Sequence, residues 1–361
     1  MDVSIIIPTY QEAENLRVLV PRVADVLDKA RLRGEIIVVD DNSPDGTREA
    51  CEALAAEYPL QLLVRENERG LSSAVIHGMN TARGEILLVM DADLSHPPEK
   101  IPELVEALSS EGAEFVIGSR YVPRGSTESG RGLFRWLDSR VATLLSRPLT
   151  SLSDPMAGFF ALRRSLFEAA PKLDPIGYKI GLELIVKCRC RDVREVPISF
   201  GNRLHGESKL SFRERLDYLR HLRRLYEFRL GSVARPLQFA LVGGTGSLVD
   251  VLFLSLLSPL LGFQPARALA IWIAMTWNFA LNRSVTFSYA RSGPILGQYV
   301  RFCLACSLGA VINWTVSVGL HSFVEFFEDY RVLAAVCGIL AGFGFNYFLS
   351  SRVVFANRPK K

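Results

Sequence analysis

Cysteine is scarce and poorly spaced for pairing. The six residues, Cys51, Cys188, Cys190, Cys303, Cys306 and Cys337, form no framework that would read as disulfides or a zinc site, so reduced thiols are expected. Cys188 with Cys190 and Cys303 with Cys306 resemble half sites, but the second pair falls in an apolar run without matching ligands, and packing is the simpler role. The N-terminus, MDVSIIIPTY, lacks a basic leader and a long apolar stretch. It reads as a first strand rather than a signal peptide, and the first half of the chain is expected to stay in the cytoplasm. A strong excess of one charge is also missing, the formal net charge being +4. Nucleic acid is therefore not expected as a partner; the Arg-rich run from Arg213 to Arg235, just before an apolar segment, suits anionic lipid headgroups better.

What is plentiful is apolar surface. A hydrophobic fraction of 49% and a mean hydropathy of +0.19 are high for a soluble protein, and the excess lies after residue 235. That points to a membrane half. At 361 residues the chain has room for two domains. The expected division is a catalytic domain over 1–208, amphipathic interfacial helices over 209–234 and a transmembrane domain over 235–361.

From residue 3 to about 120, β-branched runs alternate with amphipathic stretches. VSIIIP, EIIVVDD, LQLLVREN, EILLVMDAD and AEFVIGSRY read as strands; helices are predicted from Glu12 to about Ala30, Thr47 to Glu57, Leu71 to Thr81 and Pro98 to Leu108. Repeated strand then helix predicts an α/β domain with a mostly parallel sheet covered on both faces. Ligands of such sheets bind outside the carboxyl ends of the strands. Between Pro123 and Gly132 the sequence PRGSTESGRG marks a mobile loop of the kind that acts as a lid. From Lys209 to Leu230 the apolar residues Phe212, Leu216, Leu219, Leu222, Tyr226 and Leu230 recur at helical spacing among arginines. This is either a basic amphipathic helix on a membrane surface or a helix packed on the catalytic domain.

Four apolar stretches follow, about Pro236 to Leu261, Ala266 to Leu281, Tyr299 to Val324 and Val332 to Leu349, and each is expected to cross a bilayer. Arg283, Arg291, Arg301, Arg352, Arg358, Lys360 and Lys361 fall on the side of the N-terminal half, so both termini are expected in the cytoplasm. The region also repeats itself. FALVGGTGSLVDV from Phe239 aligns with FCLACSLGAVINW from Phe302, setting Asp250 opposite Asn313, and NFALNRSVTF from Asn278 aligns with NYFLSSRVVF from Asn346. Polar groups at matched depths suggest a helix interface or a path for a polar headgroup.

Two acidic clusters end predicted strands. EIIVVDDNSPDGT puts Asp40 and Asp41 where carboxylates can accept hydrogen bonds from a base or ribose, with Asp45 and Thr47 better read as helix caps. EILLVMDADLSHPPE puts Asp91 and Asp93 one residue apart after an apolar strand, a spacing that lets both share a divalent cation, Mg²⁺ or Mn²⁺, with a nucleotide diphosphate. His96, between that site and two prolines, is either a further ligand or a turn-fixing residue. Arg120, in GSRY, and Arg135 with Ser139, one helical turn apart, suit a phosphate.

IIIPTYQEAENL, VVDDNSPDGT, MDADLSHPPE, GSRY, SDPMAGFFALRR, GYKIGLELIVKC and NRLHGESKL, in this order, resemble the successive motifs of dolichol-phosphate mannose synthases, inverting enzymes of glycosyltransferase family 2. Residues 235–361 resemble GtrA-like four-helix membrane domains. The resemblance implies a Rossmann-like GT-A catalytic domain followed by an all-α transmembrane domain. It also implies that Pro8, Tyr10, Glu12 and Asp41 hold the nucleotide and that Asp91 and Asp93 bind metal, with Ser95, at a position where some relatives carry Gln, as third candidate ligand. Arg120, Arg135 and Ser139 would meet the lipid phosphate; Lys179, Arg203 and Lys209 would neutralise phosphate charge around the donor. Asp91, Asp93, Arg120 and Arg203 are the candidate catalytic residues, while Glu183 and His205 match motif positions without an assigned role.

The expected reaction is inverting transfer of a hexose, mannose from GDP-mannose first, to dolichyl or polyprenyl phosphate on the cytoplasmic membrane face. UDP-glucose as donor is the neighbouring alternative, and a lipid-linked sugar flippase, with Asp250 and Asn313 lining its path, is an alternative of a different class. A processive polysaccharide synthase is disfavoured, because its Gln-x-x-Arg-Trp motif would need Gln where Gly132 precedes Arg135 and Trp136.

Overall fold

A computed structural model of the chain describes residues 1–109, 112–127, 133–177, 179–201 and 212–356. It divides into two units, Met1–Arg229 and Leu230–Lys361. The first unit begins with β1 (Val3–Thr9), α1 (Ala13–Lys29), β2 (Gly34–Asp40), α2 (Thr47–Ala55), β3 (Leu60–Val64), α3 (Leu71–Thr81), β4 (Ile86–Val89), α4 (Ile101–Ser109) and β5 (Phe115–Ser119). It continues with β6 (Ser126–Thr127), α5 (Leu133–Ser146), β7 (Phe160–Arg163), α6 (Arg164–Glu168), α7 (Ile180–Lys187), β8 (Val193–Pro197), β9 (Ser199–Phe200) and α8 (Phe212–Leu230).

Seven strands form one sheet in the order β3-β2-β1-β4-β7-β5-β8, parallel except for β7. The run VSIIIPT is buried at every position, as a strand covered on both faces must be. Alternate side chains go to opposite faces. Val3, Ile5 and Ile7 join a core with Leu16, Leu19 and Val23 of α1 and Leu104 and Leu108 of α4, whereas Ile6 joins Val75 and Met79 of α3 in a second core. The predicted helices and parallel strands up to residue 119 are thus present. The chain leaves β1 toward β2 and β3, then returns to β4 on the other side of β1, so the strand order switches between β1 and β4. Crevices form at such points.

Two expectations are amended. The Gly- and Arg-rich segment is not loop throughout: Ser126–Thr127 pairs in parallel with Ser199–Phe200, because backbone groups of even a polar dipeptide can join a ladder. Residues 128–132 lie outside those described. The Arg-rich helix α8 is packed along one face on the first unit: Leu222 and Leu225 sit with Leu149, Leu182 and Val186, while the hydroxyls of Tyr218 and Tyr226 donate to the carbonyls of Ala142 and Leu145. Leu216 and Leu219 stay exposed on its other side. Burial pushes the Tyr218 hydroxyl up to about 12, so it acts as a donor throughout the neutral range.

The second unit holds α9 (Ala234–Leu261), α10 (Phe263–Leu281), α11 (Ile295–Phe323), α12 (Glu325–Asp329) and α13 (Arg331–Leu349). Among the described residues, the helix that ends at Leu261 and α11 are long and apolar enough to cross a membrane. Their outer residues are bare: Leu260 is 79% and Phe323 88% exposed. The internal repeat is visible in three dimensions. A Cβ on Gly246 would fall into the amide of Asn278, and one on Gly309 into the amide of Asn346, so the matched asparagines mark close helix packing of α9 with α10 and α11 with α13. Both hairpins close in a π-helical turn, Asn282–Thr286 and Ser350–Val354, and the equivalent Phe287 and Phe355 stack at 4.8 Å. All six cysteines are free thiols, as their spacing predicts.

Candidate active site

Asp40 and Asp41, Tyr10, Asp91 and Asp93, and Arg120 lie at the carboxyl ends of β2, β1, β4 and β5 respectively, whereas Lys179 directly precedes α7. Backbone strain gathers at these strand ends too. Gln11 after β1, Asn42 after β2 and Leu94 after β4 all have positive φ, near +60°, a region that costs a non-glycine residue about 1–3 kcal/mol and that tends to occur at functional sites.

At the end of β2 the acids are occupied by the protein. Asp40, fully buried, accepts the backbone N–H and hydroxyl of Ser43 and thereby shapes the turn; it is not open to a base or ribose. Asp41 accepts Nε of Arg65 at 2.8 Å, a second guanidinium nitrogen, and the N–H of Gly70 at 2.8 Å. Arg65 is itself buried, so this is a desolvated ion pair that fixes the end of β3 to the end of β2. Asp45 accepts the N–H of Thr47 and the N–H of Ala13, the first residues of two helices, although the N-cap positions are Gly46 and Glu12 and Thr47 is itself the first helical residue rather than a cap. Burial pushes its carboxyl up, but the hydrogen bonds from Thr47 and Ala13 outweigh that and hold it below the usual range. Tyr10, after β1, is exposed, and the Arg69 guanidinium lies 5.2 Å over its ring. Pro8 is buried within β1, and Glu12, just before α1, accepts the side chain of Asn15.

At the end of β4 the arrangement differs. The Asp91 side chain is 30% exposed and its carboxylate accepts no hydrogen bond among the described residues. Asp93 is buried, with Oδ1 accepting the Ser95 hydroxyl at 2.5 Å and the Ser95 N–H at 3.1 Å. His96 has its Nδ1 engaged: it accepts the N–H of Asp91 at 3.0 Å, and the ring stacks on Phe159 at 5.2 Å. Burial pushes its pKa down, against Asp91 and Asp93, which pull it up, so the ring is neutral and able to accept that bond. It fixes the turn, the second of the two roles open from the sequence.

These donors fit a hard divalent ion. Two carboxylates offer oxygen ligands, and Gly158 leaves open the space beside Asp91, since a Cβ there would lie 3.4 Å from both of its carboxylate oxygens. No group of three or more metal-binding His, Cys, Asp or Glu side chains occurs among the described residues, which suits an ion whose remaining ligands are water and substrate phosphate. Ser95 gives its hydroxyl hydrogen to Asp93, so its evident action is to orient that carboxylate.

Cations stand opposite. Arg120, after β5, is clamped by the fully buried Asp154 through Nε at 2.6 Å and Nη2 at 2.8 Å, and its guanidinium also lies 5.1 Å from the Phe200 ring. Burial would lower the Arg120 pKa, yet Asp154 raises it above the usual value. Lys179 donates to the carbonyl of Met156 at 3.3 Å. Burial, then the charge of Arg120, lowers its pKa to about 7, partly opposed by Asp154 and Asp91. Asp154 was not singled out in the sequence, although it lies within SDPMAGFF; Arg65, a lone charge ending an apolar strand, was missed as well. Glu183, buried, accepts the ammonium of Lys187 at 2.5 Å and the N–H of Asp174 at 2.8 Å, and lies 3.9 Å from His221 of α8. It ties α7 to its preceding loop. The side chains of Arg135 and Ser139, and all of Arg203, His205 and Lys209, lie outside the described residues.

Residues 4–170 match the family Glycosyl transferase family 2, and residues 238–360 match GtrA/DPMS, transmembrane domain. A dolichol-phosphate mannosyltransferase from Pyrococcus furiosus is 40% identical over 99% of this chain and 100% of its own length. This chain belongs to the dolichol-phosphate mannosyltransferase family. It is a glycosyltransferase and a membrane protein. A dolichol-phosphate mannosyltransferase from Saccharomyces cerevisiae is 42% identical over 64% of this chain and 90% of its own. Among solved structures, glucosyl-3-phosphoglycerate synthase from Mycobacterium tuberculosis, in complex with Mn²⁺, UDP and phosphoglyceric acid, is 20% identical over 64% of this chain and 78% of that one, with a TM-score of 0.48. Likeness at that level says nothing of substrate.

Proposed function

We propose that this glycosyltransferase moves mannose from GDP-mannose to dolichyl or polyprenyl phosphate at the cytoplasmic face of a membrane. The observation that carries the reading is the part-exposed carboxylate of Asp91 beside Asp93, close enough to Arg120 and Lys179 for its charge to act on both. The name of the full-length Pyrococcus furiosus relative supports both the sugar and the acceptor. Asp91 and Asp93, with Ser95 behind them, would hold Mg²⁺ or Mn²⁺. Such an ion supplies neutralising charge for a nucleoside diphosphate.

The chain's own groups do the remainder. Tyr10, Pro8, Glu12 and Asp41 flank the nucleotide; Lys179, Arg203 and Lys209 offset the charge of the diphosphate as it leaves. Arg120, with Arg135 and Ser139 on α5, orients the acceptor phosphate. That phosphate is already an anion near neutral pH, so attack on the anomeric carbon needs alignment and shielding rather than a general base. A single in-line displacement inverts the anomeric configuration. The four helices α9, α10, α11 and α13 cross the bilayer, with Arg283, Arg291, Arg301 and Arg352 and both termini on the catalytic side, and the exposed face of α8 lies along the headgroups.

The test is transfer of radiolabel from GDP-mannose or UDP-glucose to a short polyprenyl phosphate by the full chain, followed by solvent extraction. Label entering the organic phase from GDP-mannose alone is the expected result. Label from UDP-glucose alone would replace the sugar, and label from neither would remove lipid-phosphate transfer as the function.

A further inference from the structure

Away from the Asp91 cleft, a cavity of about 280 Å³ opens where three segments of the first unit meet. Arg147, which directly follows α5, Arg191, just before β8, and Arg229, in the last turn of α8, all line it, together with Thr150, Ser151 and Cys190. None of the three guanidinium groups has a carboxylate or carbonyl partner among the described residues. Of the acids beside Arg191, Asp192 is paired with Arg194, and Glu114 accepts the backbone N–H groups of Arg191 and Asp192 rather than a guanidinium. The neighbouring thiol brings no negative charge, because burial pushes Cys190 up to about 12.

All three arginines are exposed, so water screens their mutual repulsion and leaves the guanidinium groups accessible to an anion from solution or a membrane surface. Guanidinium forks match phosphate oxygens two at a time, and the hydroxyls of Thr150 and Ser151 are further donors. The volume falls just below the roughly 300 Å³ at which pockets begin to hold drug-sized ligands, so a headgroup-sized anion fits. It stands apart from the acceptor position proposed above, because Arg135 lies near the start of α5 and Arg147 follows its last residue, Ser146, eleven positions or about 16 Å of helix further on.

We propose that this cavity is a second phosphate site, which takes a phosphate monoester by way of Arg147, Arg191 and Arg229 and so links the ends of α5 and α8 to the start of β8. A lipid headgroup is the favoured source, since Arg229 shortly precedes Ala234, where α9 begins, and the helix ending at Leu261 is apolar enough to cross a membrane. The inference goes beyond the transfer reaction and is read by binding, so it can fail while that reading stands.

The experiment uses the full chain in neutral detergent and measures affinity for dioctanoyl phosphatidic acid, glycerol 3-phosphate and dioctanoyl phosphatidylcholine. It compares wild type, Arg147→Gln/Arg191→Gln and the charge-keeping Arg147→Lys/Arg191→Lys. Phosphatidic acid should bind the Gln double variant at least about tenfold more weakly than wild type, with the Lys variant between them and phosphatidylcholine indifferent to all three. The unliganded Gln variant should melt no lower than wild type, because the replaced guanidinium groups are exposed and hold no acid or carbonyl among the described residues. Equal gains from glycerol 3-phosphate would assign the same site to soluble phosphate esters. Equal affinity of wild type and Gln variant for both phosphates would overturn the site; loss of transfer by the Gln variant at saturating acceptor would merge it with the acceptor position and overturn it likewise.

Discussion

The acids that end or follow β2 and β4 flank β1 at the carboxyl ends of one sheet, and one of them, Asp91, is treated differently from the others. Asp93 is among those others, its carboxylate taking the hydroxyl and N–H of Ser95. Asp40, Asp41 and Asp45 are each satisfied by protein donors: Ser43, Arg65 with Gly70, and Thr47 with Ala13. Asp91 is left open, and Lys179, on which its charge acts, has its pKa lowered by burial to about 7, so that it is only partly protonated near neutral pH. One half of the crevice is therefore finished by folding. The other half is unfinished until charged ligands arrive, and the stability lost there is what a preorganised site for ion and phosphate costs.

The largest break in that contrast comes from Asp91→Asn. Transfer should fall about a thousandfold or more, several kcal/mol of transition-state stabilisation, while the thermal midpoint is unchanged or slightly higher. A steady-state assay beside a melting curve checks both halves. Asp41→Asn should do the reverse: it strands the buried Arg65, costs about 3–5 kcal/mol of stability, and lowers turnover mainly through weaker donor binding. Equal melting of the two variants would erase the distinction between the two ends.

Lys179→Met sharpens the contrast through pH. The folded pKa of about 7 lies below the ordinary 10.5, so between those values the unfolded chain holds a proton that the folded chain does not. Stability contributed by this residue thus rises with pH across that window, and the penalty is fully present below pH 7. The Met variant should therefore melt about 2–8 °C higher near pH 7, lose that advantage toward pH 10.5, and transfer about a hundredfold more slowly. Melting curves at the two pH values decide it. Smallest is Asp45→Ala, which removes one acceptor from the starts of two helices: about 1 kcal/mol of stability per cap, with turnover within about twofold, read by the same pair of assays.

Much of this was legible before any coordinates. Short β-branched runs such as SIIIP and EIIVV are rich enough in isoleucine and valine to be read as covered strands, and an acid directly after such a run is placed by the strand itself. The paired hairpins of the second unit followed from a repeat in sequence. Other features were hidden because they depend on partners distant in the chain. FALR gives no hint that β7 runs antiparallel between β4 and β5. Asp154 is recognisable only once Arg120, thirty-four residues earlier, is seen across from it. The sequence left His96 either a ligand or a turn-fixing residue, and only the coordinates show its Nδ1 accepting the backbone N–H of Asp91. The amphipathic pattern of α8 could not say which surface its apolar face covers, and Leu222 and Leu225 turned out to cover α7 and the end of α5.

The central claim is that Asp91 and Asp93 hold a divalent ion together with the donor's diphosphate, and Mn²⁺ binding read by electron paramagnetic resonance of the free ion tests it most directly. With GDP present, wild type should remove one Mn²⁺ per chain from solution, and Asp93→Ala, still folded, should remove none at the same concentrations. Full GDP-dependent Mn²⁺ uptake by Asp93→Ala would contradict the account.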